Sequence, residues 1–379
     1  MPEITIRSTV QNKAVVTSAA PVTVSPPSFT PITTGWQVGN LFMKTLILRI
    51  SGTISVTLGG GTLSVNQNGI LRFIKGLIFG TDLHQNLVDN VDGLTLYRML
   101  AVSAKQNGYE VDIAASTTSS GNFEALIKIP MFNPNALRAE DTVLDLNRAQ
   151  PYIRGVWGDA SDFGSISGGT SPVFAVSALN MEVSMSYIRG PFVTTKAGPN
   201  GSMQTVPNIN AVKPNFMPYW FNQQVVINST AKQFQIPGGL PYGDRIYKKL
   251  FIMQRDASTL AERSDIVGVN DQDRLTLSLN GINIVDNEEW LSIQHKNQNE
   301  YGNATIPAGM IVIDFDEPSN DGSGYGARLA DALNLIEGGQ LTFNLKIDVT
   351  NPGTGSPALF IAGDCVKAIP PAAQTTRAE

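Results

Sequence analysis

The stretch "RFIKGLIFGTD" at residues 72–82 has a partial copy, "RIYKKLFIMQRD", at residues 245–256. Both begin Arg-x-x-Lys-x-Leu, and the two patterns lie 173 positions apart (245 − 72). Apolar residues that recur at every second position suit one face of a β-strand. We predict that both segments are the same strand in two similar halves of the chain, with Lys75 and Lys248 facing outward and a bulge near Gly76. The residues predicted to reach a core are Phe73, Leu77, Phe79, Ile246, Leu250 and Ile252.

The composition favours an all-β protein. The chain has 379 residues, which is more than one hydrophobic core usually spans. Charged residues make up 16%, against about 25% in ordinary soluble domains. The 35 glycines and 22 prolines, set among many threonines, serines and valines, are typical of short strands joined by turns.

Alternating apolar residues extend the strand pattern in both halves. They occur in "LILRISGTISV" (46–56), "NMEVSMSYI" (180–188) and "LTFNLKIDV" (341–349). In "RLTLSLNGINIVDN" (274–287), Asn-Gly separates two alternating runs, which predicts a hairpin because both turn positions need positive φ. Strands at this spacing predict two tandem eight-stranded jelly rolls, each a β-sandwich, with short helices in the connecting loops.

Two segments have helical spacing instead. In "DGLTLYRMLAVSAKQNG" (92–108), Leu96, Met99 and Leu100 share one helical face and Gly108 supplies a stop. In "YGARLADALNLIEGG" (325–339), three apolar residues at positions 329, 333 and 336 predict a short amphipathic helix.

Composition shifts divide the chain. Residues 1–40 are rich in Pro, Ser and Thr and are predicted to form an extended arm that needs a partner to become ordered. Residues 191–215 hold many prolines and glycines and are predicted to be an irregular linker. The predicted organisation is an arm (1–40), a first roll (41–190), the linker (191–215), a second roll (216–366) and a C-terminal tail (367–379).

Charge is unevenly distributed. No acidic residue lies between Glu3 and Asp82, and the segment carries six basic residues. Either this is chance in a Thr/Val-rich segment, or it marks a basic side that meets nucleic acid or lipid head groups. The basic residues are Arg7, Lys13, Lys44, Arg49, Arg72 and Lys75.

The sequence offers little for catalysis. Its two histidines, His84 and His295, lie in different predicted halves, which argues against a histidine pair or a histidine-rich zinc site. No nucleophile elbow, phosphate-binding loop or dinucleotide fingerprint is present. The single cysteine, Cys365, lies in a strand-like apolar run and is predicted to be a buried small hydrophobe. No enzyme activity, catalytic residue or cofactor is therefore predicted.

One acidic cluster is a weak candidate for a metal site. The run "DFDEPSNDGSG" (314–324) contains Asp314, Asp316, Glu317 and Asp321, and hard cations such as Ca²⁺ prefer several oxygens on a short loop. The spacing does not match an EF-hand, so a solvated acidic loop is the favoured interpretation and Ca²⁺ the alternative.

Two further segments have alternative interpretations. The aromatics of "NFMPYWF" (215–221) suit either a sugar-binding platform or packing at the start of the second half, and the latter is favoured. The basic segment "RIYKKLF" (245–251) suits either an edge strand protected by lysines or a nucleic-acid contact.

Taken together, several segments resemble double-jelly-roll major capsid proteins of tailless icosahedral viruses, with tectivirus- or autolykivirus-like membrane-containing bacteriophages as the nearest group. In the first half these are "LILRISGTISV", "NGILRFIKGLIFGTD" and "DGLTLYRML". In the second half they are "LPYGDRIYKKLFIMQRD", "NEEWLSIQHKN", "IPAGMIVIDF" and "LTFNLKIDVTNPGTG". The resemblance covers about residues 41–366.

The resemblance implies a structural protein of the virion capsid, made in the host cytoplasm. It implies that three copies form a pseudo-hexameric capsomer. The expected partners of this capsomer are neighbouring capsomers and minor capsid or vertex proteins. An internal lipid membrane is a further expected partner, reached through the N-terminal arm, and no specific nucleic acid is expected. The alternative function is a carbohydrate-binding or carbohydrate-active β-sandwich protein.

Overall fold

The computed structural model describes most of both predicted halves. The described residues are 14–17, 41–66, 68–81, 85–103, 111–112, 121–131, 144–145, 151–158, 160–170, 173–189, 193–197, 201–207, 216–227, 234–235, 245–269, 273–279, 282–315, 333–334, 343–347 and 354–368.

The described residues form 22 strands and three α-helices. The strands are β1 (Ala14–Thr17), β2 (Leu41–Thr57), β3 (Thr62–Val65), β4 (Ile74–Thr81), β5 (Val88–Val91), β6 (Val111–Asp112), β7 (Gly121–Pro130), β8 (Leu144–Asp145), β9 (Pro151–Trp157), β10 (Gly164–Ser167), β11 (Val173–Arg189), β12 (Val193–Ala197), β13 (Met203–Pro207), β14 (Phe216–Val226), β15 (Phe234–Gln235), β16 (Arg245–Asp256), β17 (Arg274–Leu279), β18 (Ile282–Glu289), β19 (Met310–Asp314), β20 (Leu333–Asn334), β21 (Phe343–Ile347) and β22 (Pro357–Ala368). The helices are α1 (Gly69–Phe73), α2 (Gly93–Ser103) and α3 (Trp290–Tyr301).

The second roll contains both sheets of a jelly roll. If its eight main strands are lettered B to I in chain order, β19-β16-β22-β14 gives the sheet G-D-I-B, and β15-β21-β17-β18 gives the sheet C-H-E-F. The helix α3 connects F to G. The predicted hairpin is confirmed, since β17 and β18 pair in antiparallel register with Leu279 opposite Ile282.

The first roll has the same topology. Its sheet β1-β11-β2-β7 gives B-I-D-G, and β9-β4-β5 gives H-E-F. A C strand would fall between β1 and β2 in the chain, within residues 18–40, which lie outside the described residues. The helix α2 connects F to G, so the helix predicted from the spacing of Leu96, Met99 and Leu100 is confirmed. The fold is a double jelly roll.

One continuous sheet joins the two rolls. The F strand of the first roll, β5, pairs in parallel with the B strand of the second roll, β14, and the eight-stranded sheet therefore runs from β19 to β9. Its second-roll strands have two covered faces. On β16, Leu250 and Ile252 pack in the second roll's core, whereas Phe251 and Met253 pack with the core of the first roll.

The strand equivalence predicted from the repeated pattern is wrong. In the second roll β16 pairs with the last strand and with the G strand, and in the first roll the strand that does so is β2, not β4. Arg72 lies in α1, before β4 begins. A shared pattern does fall on these two strands, Lys44-x-Leu46-x-Leu48 on β2 and Lys248-x-Leu250-x-Ile252 on β16.

Other parts of that prediction are confirmed. All six apolar residues assigned to a core are at most 5% exposed. The register of β4 against β9 shifts between Ile74 and Gly76, which is the bulge expected near Gly76.

The structure describes short pieces of three further predicted segments. Ala14–Thr17, within the predicted arm, pairs with β11 and belongs to the first roll's sheet, while the rest of residues 1–40 lies outside the described residues. The predicted irregular linker contains a regular hairpin of β12 and β13. Leu333–Asn334, predicted to be helical, forms a short strand beside β16, and the neighbouring residues of that predicted helix are not described.

Candidate functional site: the junction between the two rolls

The candidate functional site is the junction at which α2 of the first roll packs against the second roll. Asp92 directly precedes α2 and caps it, because its Oδ1 accepts a hydrogen bond from the Thr95 backbone N–H at 3.0 Å. The Thr95 hydroxyl donates to Asp92 Oδ2 at 2.7 Å. A carboxylate at a helix N-terminus is also favoured by the helix dipole. Local sequence therefore places a buried negative charge, 2% exposed, at the junction.

Arg255 brings the matching positive charge from the second roll. It lies near the end of β16 and is fully buried. Its Nη1 donates to both carboxylate oxygens of Asp92, at 2.8 and 2.9 Å, and its Nε and Nη2 donate to the carbonyl oxygen of Leu260. Asn222 on β14 also donates to Asp92, at 3.0 Å. Because each buried charge has several partners, its desolvation is offset by charge-assisted hydrogen bonds.

A second ion pair crosses the junction one turn along α2. Arg98 forms a bidentate pair with Glu262, with Nε to Oε1 at 2.7 Å and Nη2 to Oε2 at 3.1 Å. Its Nη1 also donates to the carbonyl oxygen of Ala304. The planar guanidinium suits this two-point contact, which fixes orientation as well as distance.

Arg72 makes a third crossing contact from α1. Its Nε and Nη2 donate to the carbonyl oxygen of Thr259 at 3.0 and 2.8 Å. Burial lowers the pKa of this guanidinium, and the nearby Asp162 carboxylate acts in the opposite direction. Polar contacts therefore reach the turn after β16 from both short helices of the first roll.

Apolar packing surrounds these polar contacts. Leu96, Met99 and Leu100 of α2 are fully buried, and they join a single cluster with Phe360 and Ala362 of β22. The second roll's sheet thus packs apolar side chains against the first roll's helix. Burial of such side chains contributes about 1.5–3 kcal/mol each.

The aromatic segment is part of this junction and not a sugar platform. Tyr219, Trp220 and Phe221 on β14 are each at most 2% exposed, which confirms the packing interpretation for them. The Tyr219 hydroxyl donates to Asp89 Oδ2 of β5 at 2.9 Å, and the Arg245 guanidinium lies 3.6 Å from the Tyr219 ring centre.

The lysines of "RIYKKLF" do not protect an edge. β16 is an interior strand between β19 and β22, so the predicted edge strand is wrong. Lys248 and Lys249 are each 9% exposed. Lys248 pairs with Asp364 at 2.8 Å and Lys249 pairs with Asp314, so neither is available as part of a nucleic-acid surface.

The acidic cluster is only partly described. Asp314 accepts hydrogen bonds from Lys249 Nζ and from the Tyr301 hydroxyl. Burial of Tyr301, together with its hydrogen bond to Asp314, raises the pKa of this tyrosine well above its usual value. Asp316, Glu317 and Asp321 lie outside the described residues. Within the described part of the chain, no three His, Cys, Asp or Glu side chains come together as a metal site.

The basic segment before Asp82 and the two histidines are the remaining candidates from the sequence. Two basic residues of the acid-free segment have acidic partners: Arg49 pairs with Glu124 at 2.7 Å and Lys75 with Asp162 at 2.5 Å. The Lys75 side chain is half-buried, and Arg7 and Lys13 lie outside the described residues. His295 is exposed on α3, and His84 lies outside the described residues.

Cys365 is fully buried, as predicted, and burial raises its pKa. None of the described helices has the length and apolar character needed to cross a bilayer.

Sequence reasoning missed the junction residues. Asp92 and Arg98 lie in the predicted helix segment and Arg255 in the repeated strand pattern, but no pattern predicts that they or Glu262 form contacts between the rolls. The one available signal is "VDGLT" (91–95), where Asp92 stands directly before a helical pattern, at the position that favours an N-cap.

Solved structures share this fold, while no protein-family model and no curated protein matches the sequence. The major capsid protein (MCP) of Sulfolobus Turreted Icosahedral Virus is similar over 97% of this chain and 99% of that chain, with a TM-score of 0.60 and 13% identity. The major capsid protein P2 from Bacteriophage PM2 is similar over 95% and 98%, with a TM-score of 0.51 and 10% identity. A chain of the PBCV-1 virus capsid is similar over 95% of each, with a TM-score of 0.51 and 10% identity. These likenesses establish the double-jelly-roll fold.

Proposed function

We propose that this protein is a major capsid protein, three copies of which form a pseudo-hexameric capsomer of an icosahedral virus shell. Its role is structural, with no catalytic site. The observation that carries the proposal is the junction: two rolls of one topology are joined by a continuous sheet and by three polar crossings at Arg255, Arg98 and Arg72. A building block with a fixed angle between its rolls suits a closed shell, because symmetric closure tolerates little variation between copies.

The fold likeness supports the same function. The similar proteins are major capsid proteins or parts of a virus capsid, and the likeness spans nearly the whole of each chain. The carbohydrate alternative loses its main support, since the aromatic residues that suggested a sugar platform are buried in β14.

Other partners follow from the capsid role. In the virion the protein contacts neighbouring capsomers and minor capsid or vertex proteins. The N-terminal arm, with Arg7 and Lys13 and no acid after Glu3, faces the particle interior and meets the anionic head groups of an internal membrane. Synthesis takes place in the host cytoplasm, and no specific nucleic acid is bound.

Light scattering coupled to size-exclusion chromatography tests the proposal on the purified full chain. A capsomer of three chains of 40.7 kDa each is expected, and electron microscopy at high concentration should show regular arrays of it. A chain that stays monomeric at every concentration would refute the capsomer. Saturable binding of an oligosaccharide by that monomer would favour the carbohydrate alternative.

A further inference from the structure

One residue in the turn after β16 has a strained backbone. Among the described residues, five other than glycine have positive φ, and four of these are asparagine, which tolerates this conformation better than most side chains. The fifth is Leu260, with φ at 56°. In this conformation the Cβ atom lies too close to the following carbonyl oxygen, and a leucine side chain forms no hydrogen bond that would offset the clash. The surroundings of Leu260 must therefore hold it in place.

Leu260 closes one turn with the hydrogen-bond spacing of an α-helix. Its backbone N–H donates to the carbonyl oxygen of Asp256 at 2.9 Å, and the Asp256 N–H donates to the carbonyl oxygen of Ala261 at 2.9 Å. A residue in the left-handed conformation often ends a helical turn, but that residue is usually glycine. Residues 256–262 are called the Leu260 turn below.

The backbone conformation of Leu260 sets the direction of two carbonyl groups that arginines bind. The Leu260 carbonyl oxygen accepts hydrogen bonds from Arg255 Nε and Nη2 at 3.0 and 2.9 Å, while Nη1 of the same guanidinium reaches Asp92. The Thr259 carbonyl oxygen accepts from Arg72 Nε and Nη2 at 3.0 and 2.8 Å. These oxygens belong to the two peptide groups on either side of the Leu260 Cα. Because peptide groups are planar, φ and ψ of Leu260 alone fix their relative orientation.

Side chains of the same turn also contact the first roll. Leu260 is 8% exposed and belongs to the apolar cluster that contains Leu96 and Met99 of α2. Two residues later, Glu262 forms the bidentate pair with Arg98 of α2. The first roll therefore contacts the Leu260 turn through a backbone carbonyl, an apolar side chain and a carboxylate.

We propose that the Leu260 turn is a conformational latch between the rolls, a two-state element that the docked first roll holds in its strained form. When the contact with the first roll is lost, Leu260 relaxes to negative φ and the two carbonyl groups turn away from their arginines. The contacts of Arg72, Arg98 and Arg255 therefore form and break together, because one element carries all of them. The latch goes beyond the proposed function, since it belongs to a single chain and its tests need no assembled shell.

Glycine and alanine at position 260 measure the strain in the full chain. Leu260→Gly and Leu260→Ala both remove the apolar side chain beyond Cβ, but only glycine adopts positive φ without strain. We expect the unfolding equilibrium constant of Leu260→Gly, from urea denaturation, to be smaller than that of Leu260→Ala by about fivefold or more. At an unstrained position glycine is the less stable of the two, so a more stable alanine variant would contradict the strain.

The same comparison in a second background tests whether the first roll holds the turn. In a protein that carries both Arg72→Met and Arg98→Met, the advantage of glycine over alanine at position 260 should disappear or reverse. An undiminished advantage would overturn the latch, because the turn would then keep its conformation without these arginines. The control background is Arg49→Met, which breaks another bidentate pair, with Glu124, and should leave the advantage unchanged. Loss of the advantage in the control background as well would also contradict the latch.

Hydrogen exchange on single variants gives a measurement that does not require the combined variants to fold. The Leu260 amide, which donates to Asp256, should exchange at least tenfold faster in Arg72→Met and in Arg98→Met than in the unchanged protein or in Arg49→Met. The result for Arg98→Met is the decisive one, because Arg98 pairs with Glu262 and only a coupled turn transmits its loss to Leu260. Faster exchange in Arg72→Met alone, or in neither variant, would show separate static contacts and overturn the latch.

Discussion

The two helices α2 and α3 occupy the same place in the two rolls, after the F strand and before the G strand, but their surroundings differ. In α2, eight of the 11 residues are buried, including Thr95 and Arg98. In α3, four of the 12 residues are buried, in one stripe from Trp290 to Asn297. A helix with one neighbour needs only such a stripe. α2 has two neighbours, its own roll and the second roll, and is buried on both sides.

The difference shows how one fold serves two tasks. In the first roll, α2 holds the two rolls together. Asp92 at its start and Arg98 within it form ion pairs with residues more than 160 positions away in the chain. The second roll's helix keeps a polar exposed side. The same topology therefore carries a helix buried on both sides in the first roll and a helix buried along one stripe in the second.

Arg255→Met should have the largest effect, and it tests whether the contact between α2 and the second roll stabilises the protein. It leaves the buried Asp92 carboxylate without its cation, and we expect a loss of about 3–5 kcal/mol in the free energy of unfolding, measured by urea denaturation. The control is Arg49→Met, which breaks an exposed pair with Glu124 and should cost about 1 kcal/mol or less. Equal losses in the two variants would mean that the junction adds nothing beyond a surface pair.

A matched pair of leucines compares the two helices directly. Leu100→Ala in α2 removes a fully buried side chain and should cost about 2–5 kcal/mol. Leu291→Ala in α3 removes a half-buried side chain and should cost about 1 kcal/mol. Thermal unfolding of both variants gives the comparison. If Leu291→Ala proved the more damaging, α3 and not α2 would be the better packed helix.

The turn after each D strand predicts a smaller, pH-dependent difference. After β16, burial of Asp256 favours its neutral form, but hydrogen bonds from Ser258, Thr259 and Ser356 outweigh this and hold its pKa well below the usual range. After β2 the corresponding turn is Gly-rich, with Gly59 and Gly60 at positive φ and no carboxylate.

The sign of the effect follows from the lowered pKa. Asp256 contributes stability that is fully present above about pH 4, the usual pKa of an unfolded aspartate, and lost as the pH falls towards the folded-state value. Asp256→Asn should cost about 1 kcal/mol at neutral pH and flatten the loss of stability below pH 4. Ser258→Ala removes one of the donors to Asp256. Its loss of stability below pH 4 should lie between that of Asp256→Asn and that of the unchanged protein. An acid unfolding curve of Asp256→Asn identical to that of the unchanged protein would contradict this assignment.

Local patterns predicted the elements whose partners are close in sequence. The spacing of Leu96, Met99 and Leu100 predicted α2, and Asn280-Gly281 between alternating runs predicted the hairpin of β17 and β18. α3 was missed because its sequence, "WLSIQHKNQNEY", carries few apolar residues. The repeated pattern predicted the wrong strand equivalence, because Arg-x-x-Lys-x-Leu gives only the order of side chains within one strand. It does not determine which other strands that strand pairs with.

The sequence by itself determined the β-rich composition, the two similar halves, the position of α2 and the burial of Cys365, since each depends on local periodicity or on apolar character. Tertiary structure alone decided that β16 corresponds to β2, that Lys248 and Lys249 are buried, and that Asp92 meets Arg255. The physical reason is that burying a charge is unfavourable unless a partner is present, and these partners are brought together only when the two rolls pack. A lysine in an alternating run looks the same in sequence whether it faces water or a buried carboxylate.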